Sequence, residues 1–180
     1  MEGGRWALLG LAAPVFLCFF TGLSIILSPW FSWNENALSD LGNPASSAAW
    51  VVFNLGLGIS GMLLLIYSIM FLKSQARKTS YALALTSILL TLVGIFNESY
   101  SQLHTVVSAL MFISLLFSSI LYFAEKKSCI AIVAIPGMLS WLLYFWGLTG
   151  AAIPETVSWL TAIPWIAFSA RSFLLYEKAK

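Results

Sequence analysis

The feature that leaves this chain least freedom is a succession of six apolar runs, at 6–28, 49–72, 79–96, 103–124, 129–149 and 157–176. A bilayer crossing needs about 20 predominantly apolar residues, and inside hydrocarbon every backbone N–H and C=O must be paired within the protein. Runs of this kind therefore fold as α-helices. The expected fold is an all-α integral membrane protein with six transmembrane helices in a single polytopic domain, residues 1–180.

Composition agrees with that reading. The chain is 60% hydrophobic and 9% charged, where soluble domains run near 45–50% and about 25%. Almost nothing is left over for a soluble domain. Nucleic acid is excluded as a partner, because the basic residues come one to three at a time at the ends of apolar runs and form no patch. The first run is too long for the apolar core of a signal peptide, and Ser-Pro-Trp-Phe-Ser-Trp at its far end offers no cleavage pattern. Cys18 and Cys129 lie in or at the end of different runs with no metal-binding spacing, so they read as small apolar residues.

Orientation follows from the basic residues. Arg5 precedes the first run; Lys73, Arg77 and Lys78 lie between the second and third; Lys126 and Lys127 lie between the fourth and fifth; Arg171, Lys178 and Lys180 end the sixth. All fall on one side, whereas the opposite loops hold Glu35, Asp40, Glu98 and Glu155 and no Lys or Arg. The positive-inside rule then places both termini in the cytoplasm of a cell-membrane protein and the acidic loops outside.

The longest polar passage, Ser32 to Pro44, reads Ser-Trp-Asn-Glu-Asn-Ala-Leu-Ser-Asp-Leu-Gly-Asn-Pro. Ser32 and Glu35 have capping-box spacing and Gly42 suits a left-handed terminator, so a short amphipathic helix lying in the outer interface is expected here. Trp33, Ala37 and Leu41 fall on one side of it, and Glu35, Asn36, Ser39 and Asp40 group on another. Trp30, Trp33 and Trp50 flank it, as indoles do at headgroup level. Asn43 and Pro44 fit the N-cap and first position of helix 2. Within that helix, Gly56, Gly58, Ser60 and Gly61 are small residues that let another helix approach, and Asn54 needs a polar partner in the outer half.

The second polar island, Asn97 to Ser108, contains the single histidine of the chain. Ser99 and Gln102 suit a capping box opening helix 4. His104 then lies about one turn in, with Ser108 one turn deeper on the same face. Asn97-Glu98-Ser99 is formally a glycosylation acceptor, in a loop too short and too near the membrane to be used. Helices 5 and 6 carry Pro136, Pro164 and many aromatics, and Glu155 reads as the cap of helix 6. Arg171 snorkels to the cytoplasmic headgroups.

Acids beside a lone histidine at an apolar boundary can orient the imidazole as a base, bind a cation or relay protons. Asp40, His104 and Glu98 are the candidate catalytic groups, with Ser39, Asn36, Asn54 and Ser108 as candidate substrate-binding neighbours. The purely structural alternative has Asp40 and Ser39 pinning loop backbone while His104 fastens two loops together. Zinc and bis-histidine haem do not suit one histidine and no thiol pair, so no cofactor is expected. Ser39 or Ser108 with His104 and Asp40 has the residue types of a nucleophilic triad without a spacing motif.

The passage Asn36-Ala-Leu-Ser-Asp-Leu-Gly42, helix 2 with Asn54 and its glycines, and the passage from Glu98 to His104 together resemble a family of small six-helix prokaryotic membrane proteins. That family is catalogued as domain of unknown function 998. The resemblance covers essentially the whole chain and picks out Ser39, Asp40, Gly42 and His104. The family is distantly similar to the Frag/DRAM/Sfk type, which implies lipid handling. A similarity to membrane hydrolases using Ser, Asp and three His around zinc fails on the single histidine.

Three functional classes follow. The first is a protein that binds or modifies a lipid headgroup at the outer leaflet through Asp40, His104 and Glu98. The second is a carrier of protons or a small solute. The third is a structural subunit that binds a copy of itself or another membrane protein.

Overall fold

Each apolar run becomes helical because helix is the conformation that satisfies its own backbone in hydrocarbon. The computed structural model describes residues 2–178, and no strand occurs among them. The six helices are α1 (Glu2–Ile26), α2 (Trp50–Gln75), α3 (Arg77–Ile95), α4 (Gln102–Lys126), α5 (Cys129–Phe145) and α6 (Ala152–Lys178). Among the described residues, α1, α2, α3 and α4 are long and apolar enough to cross a membrane. The chain is a multi-pass membrane protein. Lys178 and Lys180 lie outside the described side chains.

The helices form a ring. α1 packs on α2, α2 on α3 and α3 on α4, while α6 returns to α1 and carries α5 on its other flank. The ends of the ring differ in charge. Glu35, Asp40, Glu98 and Glu155 gather at one end, and Lys73, Arg77, Lys78, Lys126 and Lys127 at the other. Two buried apolar clusters divide its length. Tyr67, Tyr122 and Trp165 centre the one toward the basic end, and Leu41, Phe53, Phe112 and Val93 belong to the one toward the acidic end.

Small residues set the closeness of α2 to its neighbours. A methyl group on Gly56 would overlap Phe20 of α1, and one on Gly61 would sit 2.8 Å from the backbone carbonyl of Ser87 on α3. Gly58 meets nothing within 4 Å, so it takes no part in this packing. A π turn at Ser68–Leu72 lets α2 run on to Gln75 and turns the Ser68 carbonyl toward Ser80, whose hydroxyl donates to it at 2.8 Å. At the basic end the Glu125 carboxylate caps α3, accepting the N–H groups of Lys78 at 2.9 Å and Thr79 at 2.8 Å.

Several boundaries differ from expectation. The helix expected across Ser32–Gly42 is a single 3₁₀ stretch, Leu38–Gly42. Ser32 and Glu35 form no capping box, since the Ser32 N–H donates to the Asn36 side chain at 2.8 Å. Leu38 and Leu41 of that stretch are buried against the bundle. Gly42 is not left-handed; among the described residues, positive φ occurs at Ser101, Lys127 and Gly147. Asn43 opens a turn by accepting the Ala45 N–H at 2.9 Å, and α2 starts seven residues later, at Trp50. α5 is broken into a 3₁₀ turn and two short helices, Ala134–Leu139 and Trp141–Phe145, and stops short of residue 149.

Candidate functional site

His104 occupies the first turn of α4. Asn97 builds the approach to it, its side-chain oxygen accepting the Ser99 N–H at 3.1 Å and starting the 3₁₀ turn Glu98–Tyr100. Ser101, at φ 48°, then reverses the chain into α4. The imidazole is 5% exposed. Its Nδ1 lies 2.7 Å from the Phe96 carbonyl, an acceptor left free by the end of α3. Its Nε2 lies 3.1 Å from the Glu98 carboxylate and 3.3 Å from the Ser108 hydroxyl. With Nδ1 on the Phe96 carbonyl, Nε2 is left to the Glu98 carboxylate and the Ser108 hydroxyl, so both ring nitrogens are engaged within the protein. The imidazole thus ties the end of α3 and the turn at Glu98 to the first turn of α4.

The remaining candidates sort by what they touch. The Asp40 carboxylate accepts the Ala37 N–H at 2.9 Å, which ties down the start of its own 3₁₀ turn. Asn54 on α2 donates to the Gly42 carbonyl at 2.9 Å. Asn36 accepts the Ser32 N–H through its side chain, and its backbone carbonyl accepts the Ala152 N–H at 2.9 Å. A methyl group on Gly150 would come within 2.6 Å of that same Asn36 carbonyl, so this crossing needs glycine. Asn54 and Asn36 thus clamp the first loop to α2 and α6, while Asp40 fixes the turn within it. Ser39, Ser108, Glu98 and His104 line open space.

A fifth residue joins these four, one that its sequence position marked only as a helix cap. Glu155, in the first turn of α6 ahead of the apolar run, accepts the Leu38 N–H at 2.6 Å and the Ser39 N–H as well. Burial is the dominant influence on its carboxyl and the Leu38 N–H opposes it. The nearby Asp40 and Glu98 add to the burial effect, and the pKa is pushed up from 4.5 to about 8. At neutral pH this side chain is therefore mostly the uncharged acid. The sequence marked it as an acid opening an apolar run with no Lys or Arg on its side to pair with, and did not mark which loop it meets.

Two cavities meet at this point. One, of about 100 Å³, lies inside the ring with walls from α1, α2, α3, α4 and α6, and it is apolar except at Ser60, Thr21, Thr86 and the acidic end. The other, of about 430 Å³, opens between α4 and α5 past Trp141, Tyr144 and Phe145. Ser39, Ser108, Phe112 and Glu155 line both. The remaining exposed surface of Glu155 thus faces cavity. Among the described residues no group of three or more His, Cys, Asp or Glu side chains is arranged to hold a metal ion.

No curated protein and no solved structure shows a match to this chain. Residues 11–175 match the family model described as a protein of unknown function, DUF998, which covers nearly all six helices with both loops of the site, and the chain belongs to that family.

Proposed function

We propose that this protein binds a membrane lipid or lipid-like amphiphile, with its headgroup at the His104–Glu98–Glu155 cluster and its chain in the apolar cavity of the ring. The carrying observation is the shared wall. Ser39, Ser108, Phe112 and Glu155 border both the wide cavity that opens between α4 and α5 and the apolar one at the centre. A molecule entering from the side of the bundle would keep its polar end at the mouth while its chain lay among Leu57, Leu90 and Met111. The wider cavity is within the roughly 300–1,000 Å³ typical of ligand sites. Binding is favoured over chemistry because both nitrogens of the one imidazole are already engaged.

The site belongs to the outer leaflet of the cell membrane in this reading, with both termini cytoplasmic. The separation of basic from acidic ends and the exposed Trp30, Trp33 and Trp50 around the first loop support it. With Cys18 and Cys129 replaced by Ser, Glu35→Cys should react with an impermeant maleimide on intact cells, and Lys127→Cys only after permeabilisation. The opposite labelling pattern would invert the topology.

A carrier is the second reading. Thr86 on α3 meets Ser114 on α4 at 2.8 Å and Ser118 at 3.3 Å, extending polar groups below the mouth. It is less favoured because Ser118 and Ser114 also donate to backbone carbonyls, and no ionisable side chain joins them at mid-depth among the described residues.

Lipid extraction and native mass spectrometry of the purified full chain test the binding reading. Ala162 of α6, 2% exposed, lines the inner cavity. The parent should retain a stoichiometric lipid, and Ala162→Leu, which fills that space, should lose it while melting within a few degrees of the parent. A parent without retained lipid, or equal retention in both, would overturn the assignment.

A further inference from the structure

We propose, building on the binding reading above, that the ligand is a cationic amphiphile, an alkylammonium headgroup held beside Glu155 and Glu98 with a long apolar chain below it. The groups facing Glu155 are Asp40 from the first loop, Glu98 from the loop between α3 and α4, and His104 from α4. His104 is already paired with Glu98. No Lys or Arg belongs to either cavity wall or to the loops at this end. An anionic headgroup would thus meet carboxylates with no free cation to compensate, whereas an ammonium group meets a negative field.

The walls point the same way. Trp141, Tyr144 and Phe145 line the entrance, and aromatic faces attract ammonium groups through the ring quadrupole. Carboxylates and aromatic faces around one opening make a receptor for an organic cation rather than a bare metal ion, which would demand a shell of oxygen ligands. The depth of the site argues separately for an amphiphile. Below the mouth the lining is almost wholly apolar, and among the described residues the one buried polar atom there without a protein partner is the hydroxyl of Ser60, 1% exposed. A chain reaching that level would run roughly 9 Å past the mouth, judged from the rise between Asn54 and Ser60 on α2.

The proton balance follows from the state of Glu155. Burial raises its carboxyl pKa to about 8, which favours the protonated form near neutral pH. An ammonium ion beside it favours the carboxylate. The exchange is therefore ammonium plus neutral acid going to an ammonium–carboxylate pair, with one proton released to solution. No bond to carbon changes. Affinity should rise with pH up to about 8 and level off above it.

The test uses the full chain in lipid nanodiscs, with empty nanodiscs subtracted, and three probes sharing one chain: hexadecylamine, hexadecanol and hexadecanoate. The amine should bind at least tenfold more tightly than the alcohol and the alcohol more tightly than the acid, with close to one proton released per amine in weak buffer at pH 7. Glu155→Gln, whose amide oxygen can still accept the Leu38 N–H, should abolish the proton release and bring the amine-to-alcohol ratio toward unity. Glu98→Gln should lower that ratio while proton release remains. Saturable binding of all three probes with equal affinity would overturn the cation assignment and leave the lipid reading standing, and amine-selective binding without proton release would overturn the exchange at Glu155 alone. Saturable binding of none would overturn both.

Discussion

The carboxylate of Glu155 accepts a 2.6 Å hydrogen bond from the backbone of Leu38, a residue 117 positions earlier in the chain. This contact joins the first loop to the last helix and closes the ring at its acidic end. It also takes an acid out of water beside two other acids, which is why the group holds its proton so strongly.

Stability should therefore depend on pH in a defined direction. An acid whose pKa is raised in the folded state binds its proton more tightly there than in the unfolded chain, so stability falls as pH rises from about 4.5 to about 8 and is flat above. Thermal unfolding of the purified protein in mild detergent should show this decline. Glu155→Gln should flatten it and melt higher than the parent at pH 8. An unchanged slope in the variant would show that the carboxyl is solvated.

The His104–Glu98 pair should couple energetically. His104→Ala leaves the Phe96 carbonyl without a partner and should lower stability by about 2 kcal/mol, with Glu98→Gln costing less. A double-mutant cycle by thermal or denaturant unfolding should give an interaction energy of about 1 kcal/mol. Additive losses would mean that the 3.1 Å contact contributes nothing.

Neighbouring glycines on α2 should behave differently. Gly61→Ala pushes a methyl group against the Ser87 carbonyl and Thr91 and should cost about 1–3 kcal/mol. Gly58→Ala meets open space and should be neutral or slightly stabilising through helix propensity. Melting temperatures of the two variants, measured side by side, decide it. Equal losses would mean that α2 is rotated from the orientation described.

What the sequence determined by itself is the part governed by solvent. Hydrocarbon admits only paired backbone, so the six apolar runs had to be helices, and the segregation of Lys and Arg from the acidic loops was legible as a list of positions. His104, Glu98 and Ser108 were legible together because helical periodicity and a tight turn bring them onto one face. Tertiary structure decided everything that depends on which loop meets which helix. It turned Asp40 back onto Ala37, shortened the loop helix around the buried Leu38 and Leu41, separated Gly58 from Gly61, and brought Glu155 beside Ser39. No local pattern carries such information, because a carboxylate that caps its own helix and one that reaches across the bundle to another loop are preceded by the same residues. Only the closing of α6 against α1 sets the distance between them.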